Sequence, residues 1–272
     1  MVPFIKMHGL GNDFVILDVR RNALALTENQ ILFLADRRRG IGFDQLVLIE
    51  EPQSSEAAAR IRFFNGDSSE ASACGNGTRC VAALLMDETN AENIQLETGS
   101  GMLSAWRSAG GLVTVDMGPP RLDWADIPLS EKIDTLHLPI SAGDLSDPVG
   151  VGMGNPHCVY FVDDAESVSL AEIGPEIEHH TLFPERTNVE VASPNGDNHF
   201  RLRVWERGAG ITDACGTGAC ATAVAAHRRG LSGRSVTLDL DGGSLNIEWR
   251  DEDDHVLMTG PVSTSFTGMV VL

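Results

Sequence analysis

The sequence predicts an α+β fold of two pseudo-symmetric domains, each an antiparallel-rich sheet wrapped around one central helix. Three observations predict it. Segments of the first half recur in the second, in order and at nearly constant spacing. Most of the remaining chain reads as short alternating strands punctuated by glycine and proline. Each half also carries one helical run that is apolar on nearly every side, the pattern of a helix buried inside its domain.

The repeat is anchored by Ala73-Cys74-Gly75-Asn76-Gly77 and Ala214-Cys215-Gly216-Thr217-Gly218, whose cysteines lie 141 positions apart (215 − 74) in a chain of 272. Arg60-Ile61-Arg62-Phe63-Phe64-Asn65 is matched by Arg201-Leu202-Arg203-Val204-Trp205-Glu206 at the same offset. Gly11-Asn12 is matched by Gly154-Asn155 and Trp106 by Trp249, and Met117-Gly118-Pro119 is echoed by Met258-Thr259-Gly260-Pro261. A period this long belongs to a duplicated domain, not a solenoid. The expected halves are 1–119 and 120–261, with the tail 262–272 a candidate to pack on the first. The proline-bearing segment 120–134 is the candidate boundary.

Taken in order, Phe14–Leu17 reads as a strand. Thr27-Glu28-Asn29-Gln30 is a capping-box pattern before Ile31-Leu32-Phe33-Leu34-Ala35, with Gly40 as the stop. Gln45–Ile49 is a second strand, and the first buried helix is expected from Thr78 to about Met86. In the second half Ser169-Leu170-Ala171-Glu172 repeats the capping-box pattern and opens a helix towards His180, which Pro175 should shorten or bend. The second buried helix runs from Ala219 to about Arg229, stopped by Gly230. Val236–Leu240 is a strand.

Charge and cysteine usage narrow the function. A formal net charge of −19 argues against nucleic acid, which needs a positive footprint, and disfavours anionic membrane surfaces. The opening residues Met1–His8 hold no signal-peptide core, and no run approaches the roughly 20 apolar residues of a membrane span. Five cysteines is an odd number, outside any dense framework, and points to a reducing compartment, the cytoplasm.

Cys74 and Cys215 carry the chemistry. A cysteine before Gly-Xaa-Gly at a helix start meets converging N–H groups and the positive end of the helix dipole, so its pKa is expected to fall towards neutrality. The glycines admit a ligand close to the backbone, where N–H groups can hold a carboxylate. One such thiol per half suggests reciprocal work: a thiolate removes a proton while a thiol delivers one from the opposite face, with the active site expected between the halves. Cys80, Cys158 and Cys220 read as core residues instead. Metal binding is a rival, but Cys74 to Cys80 and Cys215 to Cys220 are spacings that point side chains apart on one helix. No Gly-Xaa-Ser-Xaa-Gly and no P-loop occurs.

The chain resembles the diaminopimelate epimerase family. The resemblance rests on 6–14 (Lys-Met-His-Gly-Leu-Gly-Asn-Asp-Phe), 40–45 (Gly-Ile-Gly-Phe-Asp-Gln) and 74–80 (Cys-Gly-Asn-Gly-Thr-Arg-Cys). In the second half it rests on 153–158 (Met-Gly-Asn-Pro-His-Cys), 183–188 (Phe-Pro-Glu-Arg-Thr-Asn), 206–210 (Glu-Arg-Gly-Ala-Gly), 214–220 and 258–260. It implies an enzyme without cofactor or metal that interconverts LL- and meso-diaminopimelate on the route to lysine, and a homodimer. Cys74 and Cys215 would be the acid/base thiols, flanked by His157 and Glu206. The N–H groups of Gly75-Asn76 and Gly216-Thr217 would hold the α-carboxylate of the reacting end. Asn65, Asn155, Asn188 and Arg207 would hold the far amino-acid end, with Asn12 and Gln45 as further lining amides and Glu206 also in contact with substrate.

One segment departs from the family pattern. Where the family usually has Asn-Ala-Asp-Gly-Ser, this chain has Asn65-Gly66-Asp67-Ser68-Ser69, which puts the shape of that turn in question. Two other functions stay open on sequence: a paired-cysteine racemase acting on proline or hydroxyproline, against which the amides and Arg207 argue, and a non-catalytic metal-binding protein.

Overall fold

The computed structural model describes residues 1–272. They form two compact units, one of Met1–Asp116 with Thr259–Leu272, the other of Met117–Met258.

In the first unit β1 (Val2–Gly9) and β2 (Asn12–Asp18) form an antiparallel pair, and α1 (Glu28–Ala35) leads to β3 (Gln45–Glu50), which lies parallel to β2. β4 (Ala59–Asn65) runs antiparallel to β3, and the short β5 (Glu70–Ala71) folds back on its end. After α2 (Gly75–Thr89), β6 (Asn93–Thr98) joins β4 in parallel and continues through β7 (Gly101–Ser108) and β8 (Leu112–Asp116) as an antiparallel meander. α2 packs against β1, β2, β3, β6, β7 and β8, so the sheet curls around it. Phe4, Val15, Leu17, Ile31, Leu34, Leu46 and Leu48 fill the other face, beneath α1.

The second unit repeats this order. β9 (Val149–Gly152) and β10 (Pro156–Phe161) are antiparallel, and α3 (Leu170–Glu178) leads to β11 (Asn188–Gly196), parallel to β10. β12 (His199–Glu206), β13 (Gly210–Ile211), α4 (Gly216–Arg228), β14 (Ser235–Leu240), β15 (Gly243–Trp249) and β16 (Val256–Gly260) follow; β14 is parallel to β12 and antiparallel to β15. α4 packs on β9, β10, β11, β14 and β15. The segment preceding β9 is not a loose linker. Ile127, Leu129, Leu138 and Ile140 enter the core of this unit beside Tyr160, Leu170 and Val189. The last strand, β17 (Ser263–Val270), pairs antiparallel with β1.

Helix ends show where local patterns hold. Thr27 caps α1 as a full capping box: its hydroxyl accepts from Gln30 N, and the Gln30 side chain accepts from Thr27 N. That helix ends at Ala35, however, and Gly40 closes the following turn by donating to Asp36 O over 2.8 Å. The expected box at Ser169 does not form. Ser169 has ψ 63, not the extended value of a capping residue, and its side chain makes no cap hydrogen bond. Pro175 sits inside the nine-residue α3, which ends at Glu178. Both buried helices begin three residues earlier than expected, so Cys74 and Cys215 are themselves the N-cap residues. α4 does stop at Gly230, which takes φ 70.

Candidate active site

Strand direction collects the candidate residues. In the first unit Asn12 opens β2, Gln45 opens the parallel β3 and Asn65 closes the antiparallel β4, so all three lie at one end of the sheet. In the second unit Asn155 and His157 stand at the start of β10, Asn188 at the start of β11 and Glu206 at the end of β12.

In the first unit Gly77 N donates to Cys74 Sγ over 3.4 Å, the contact expected of a thiol at a helix N-terminus. Asn12 Oδ1 lies 4.0 Å from the same sulfur and accepts from Asn76 Nδ2 at 3.2 Å. Its orientation is fixed from behind, because Asn12 Nδ2 donates to Asp44 Oδ2 over 3.0 Å. Behind Asn12, Arg37 donates to both oxygens of Asp13 at 2.8 Å and to Asp44, and Lys6 pairs with Asp13. Burial raises the Asp13 carboxyl, but the hydrogen bonds and charges of Arg37 and Lys6 outweigh it and hold the group far below the usual carboxylate range. A second pair stands beside these: Gln45 Nε2 donates to Asn65 Oδ1 at 2.9 Å.

The turn after Asn65 is closed by Ser68 N donating to Asn65 O at 3.0 Å and Asn65 N donating to Ser69 O at 2.8 Å. Ser68 adopts φ 73, a left-handed conformation that glycine accepts freely and serine does not.

The second unit is built on the same plan with different groups. Gly218 N donates to Cys215 Sγ at 3.4 Å, and the Thr217 hydroxyl lies 3.6 Å from that sulfur. Glu206 accepts from Thr212 Oγ1 and hydrogen-bonds Cys215; removal from water raises its carboxyl above the usual value, against the pull of those two hydrogen bonds. Cys215 itself corrects the sequence expectation. Burial, then the charges of Glu206 and Glu190, push this thiol well above its ordinary value, although Thr217 and Gly218 pull the other way. A helix N-terminus supplies a fraction of a charge, too little to offset burial beside two carboxyls.

Two of the glycines are also required by packing. A Cβ on Gly77 would lie 2.6 Å from Phe63 Cε1, and one on Gly218 would lie 2.7 Å from Glu190 Oε1. Neither position has room for a Cβ beneath the helix.

His157 and Glu190 are wholly buried, with Nδ1 2.7 Å from Oε1. His157 Nε2 meets Asn155 Oδ1 at 2.9 Å, and Asn155 Nδ2 donates to Thr217 Oγ1 at 3.4 Å. Asn188 bonds backbone on both sides: it donates to Pro156 O at 3.0 Å and accepts from Arg207 N at 2.9 Å. Arg207 Nη1 donates to Glu185 O at 2.9 Å, and the next residue, Gly208, donates to the buried Glu178 carboxylate. A cavity of about 270 Å³ opens beside Arg207 and Asn155, with Glu185, Arg121 and Asp126 also in its wall.

Glu190, Glu178, Arg121 and Asp126 are absent from the sequence-derived site. Glu190 falls at an interior strand position, Glu178 is the last residue of α3, and Arg121 and Asp126 belong to the segment before β9, outside the repeat. No group of three His, Cys, Asp or Glu side chains is arranged to hold a metal ion.

The family model for diaminopimelate epimerase matches residues 4–122 and 149–265. Diaminopimelate epimerase from Rhodospirillum centenum is 58% identical over 265 residues, covering 97% of this chain and 91% of that protein. The one from Acidiphilium cryptum is 52% identical, covering 98% and 95%. Among solved structures, a probable proline racemase from Agrobacterium radiobacter has the same fold, with TM-score 0.71 at 16% identity over 100% of this chain and 93% of that one. By its sequence over nearly its full length, the chain belongs to the diaminopimelate epimerase family.

Proposed function

We propose that the chain interconverts LL- and meso-diaminopimelate by proton transfer between substrate carbon and two thiols, Cys74 and Cys215. The observation that carries this reading is that each unit caps its buried helix with one cysteine, whose sulfur accepts the N–H of the second glycine at 3.4 Å. One thiolate takes the α-proton and becomes a thiol. The other thiol gives its proton to the carbanion on the opposite face and becomes a thiolate. Cys215, held above its ordinary pKa, enters the LL or the meso direction as the donor, and Glu206 is the group beside it able to take up its proton when the roles reverse.

An amino-acid α-proton is far less acidic than a thiol, so the carbanion needs fixed dipoles. The positive end of a helix dipole favours an anion, and the N–H groups of Gly75-Asn76 and Gly216-Thr217 are assigned to the α-carboxylate. The far end of the substrate carries a carboxylate and an ammonium. The cavity beside Arg207 offers both signs of charge, with Arg121 and Arg207 against Asp126 and Glu185, which suits a second amino-acid end better than a proline ring. Asn155 lines that cavity, and Asn188, assigned with it and Arg207 to the far end, also holds the Arg207 backbone.

Incubation with LL-diaminopimelate in heavy water tests the reading. Deuterium at the inverted carbon is expected, and product that keeps its original hydrogen overturns transfer between two thiols. Cys74→Ala and Cys215→Ala should each abolish epimerisation in a folded protein, and full activity in either removes that thiol from its role. The chain is also proposed to act in the cytoplasm as a homodimer. Phe266 and Met269, about half exposed on β17, are the apolar surface that supports association. A monomeric mass in sedimentation at assay concentration overturns it.

A further inference from the structure

Two wholly buried groups in the second unit, His157 and Glu190, stand where the first unit has none of their chemistry. Register identifies the equivalents. Phe14 pairs with Gln45 as His157 pairs with Asn188, and two residues along, Val47 occupies the place of Glu190. Phe14 and Val47 are fully buried too, so the fold closes this position with apolar side chains when nothing else is asked of it. A buried ionisable pair is no more stabilising than well-packed apolar groups of similar volume, and often less. Packing therefore does not explain Glu190.

Its contacts do. Glu190 Oε1 lies 2.7 Å from His157 Nδ1, while Oε2 is buried with no hydrogen-bond partner. On the far side of the ring, Nε2 meets Asn155 Oδ1 at 2.9 Å. Asn155 turns its Nδ2 to the Thr217 hydroxyl at 3.4 Å, and that hydroxyl lies 3.6 Å from Cys215 Sγ. Since Nδ2 faces the hydroxyl, the oxygen of the same amide faces Nε2, so the ring orientation and the amide orientation fix one another. The carboxylate is the only group on the Nδ1 side that sets the ring.

We propose that Glu190 is a positioning residue: by holding the His157 ring it fixes Asn155 and, through Asn155, the Thr217 hydroxyl against the Cys215 sulfur. The assignment rests on Cys215 being a reacting thiol. It separates two roles that lie close in space, because Glu206 hydrogen-bonds the thiol, whereas Glu190 adds its charge from further off and sets the thiol's surroundings through three side chains.

Three variants test it: E190Q, E190V and H157F/E190V, the last copying the pair of the first unit. Each is followed by thermal melting, by epimerisation of LL-diaminopimelate, and by the rate at which iodoacetamide modifies Cys215, read by peptide mass. H157F/E190V and E190V are expected to melt near the wild type, to lose about 100-fold in kcat/KM, the scale of a displaced reacting group, and to change the Cys215 alkylation rate several-fold. E190Q, whose amide can still hydrogen-bond the His157 ring, should recover most of the activity; its alkylation rate should differ from that of E190V, since both lose the Glu190 charge and only E190V loses the hydrogen bond. Wild-type activity and alkylation in H157F/E190V overturn the proposal. So does a loss that merely follows the melting temperature and that E190Q does not relieve. If H157F/E190V fails to fold, the contrast between E190Q and E190V decides by the same criteria. The alkylation arm needs no substrate, so a wild type that fails to epimerise diaminopimelate while E190V and E190Q differ in Cys215 alkylation refutes the substrate reading and upholds the positioning role.

Discussion

Asn65 and Ser69 close a turn on one another: Asn65 N donates to Ser69 O at 2.8 Å, and Asn65 Nδ2 donates to Ser69 Oγ at 3.0 Å. The turn places the Asn65 carboxamide oxygen towards Gln45, and it forces Ser68 to φ 73. Two residues earlier, Gly66 needs no special freedom, since a Cβ there would meet only Ala35 Cβ at 3.8 Å. The double variant G66A/S68G should therefore raise stability by about 1 kcal/mol, from relieved strain at one position and reduced unfolded-state freedom at the other. Denaturant unfolding checks it, and an unchanged midpoint removes the strain argument.

Glu206→Gln is expected to separate stability from activity. A carboxyl whose folded pKa is raised holds its proton longer in the folded than in the unfolded state, so the folded state loses stability as pH rises past the ordinary glutamate range. The amide removes that penalty. The variant should be at least as stable as the wild type at pH 7, with no advantage in acid, while epimerisation falls. A variant less stable at pH 7 than in acid contradicts the raised carboxyl.

Asp13→Asn should cost about 3 kcal/mol, because it leaves the buried Lys6 without its charged partner. Here the sign reverses. The depressed Asp13 carboxyl contributes stability that is complete above the ordinary carboxylate range and is lost as pH falls below it. The deficit of the variant should shrink in acid. Melting curves at neutral and acid pH with an equal deficit at both would remove the ion-pair explanation. Asn12, oriented by the neighbouring Asp44, should lose its hold near Cys74 at the same time, lowering activity beyond the loss in stability.

Gly77→Ala and Gly218→Ala probe the same helix position in two surroundings. The first drives a methyl group into the Phe63 and Phe14 rings and should destabilise by about 1–3 kcal/mol, the usual cost of overpacking. The second meets the Glu190 carboxylate at 2.7 Å and the Cys215 sulfur at 3.2 Å, so its larger effect should fall on epimerisation. Equal ratios of activity loss to stability loss in the two variants would contradict this division.

The duplicated architecture was legible in the sequence because it rests on matched local patterns: strands at the same offsets, and a cysteine capping a helix in each half. Thr27 shows a cap read correctly from four residues. Ser169 shows the same reading fail, since its backbone leaves the extended conformation that aims a capping hydroxyl. The Cys215 thiol departs from the sequence expectation for a similar reason. The helix terminus is visible in five consecutive residues, whereas burial and the carboxyls of Glu206 and Glu190 arrive from strands remote in sequence. Glu190 itself leaves no local trace, because a strand interior gives no sign of which polar residue will find a buried histidine.

Cys80 in α2 and Cys158 in β10 are wholly enclosed, and burial raises both thiols, that of Cys80 to about 12. They are thus silent towards mild thiol reagents until their surroundings open. One reports on the first unit and the other on the second, so timed labelling in rising denaturant would reveal whether the two halves come apart together or in succession, without any engineered probe.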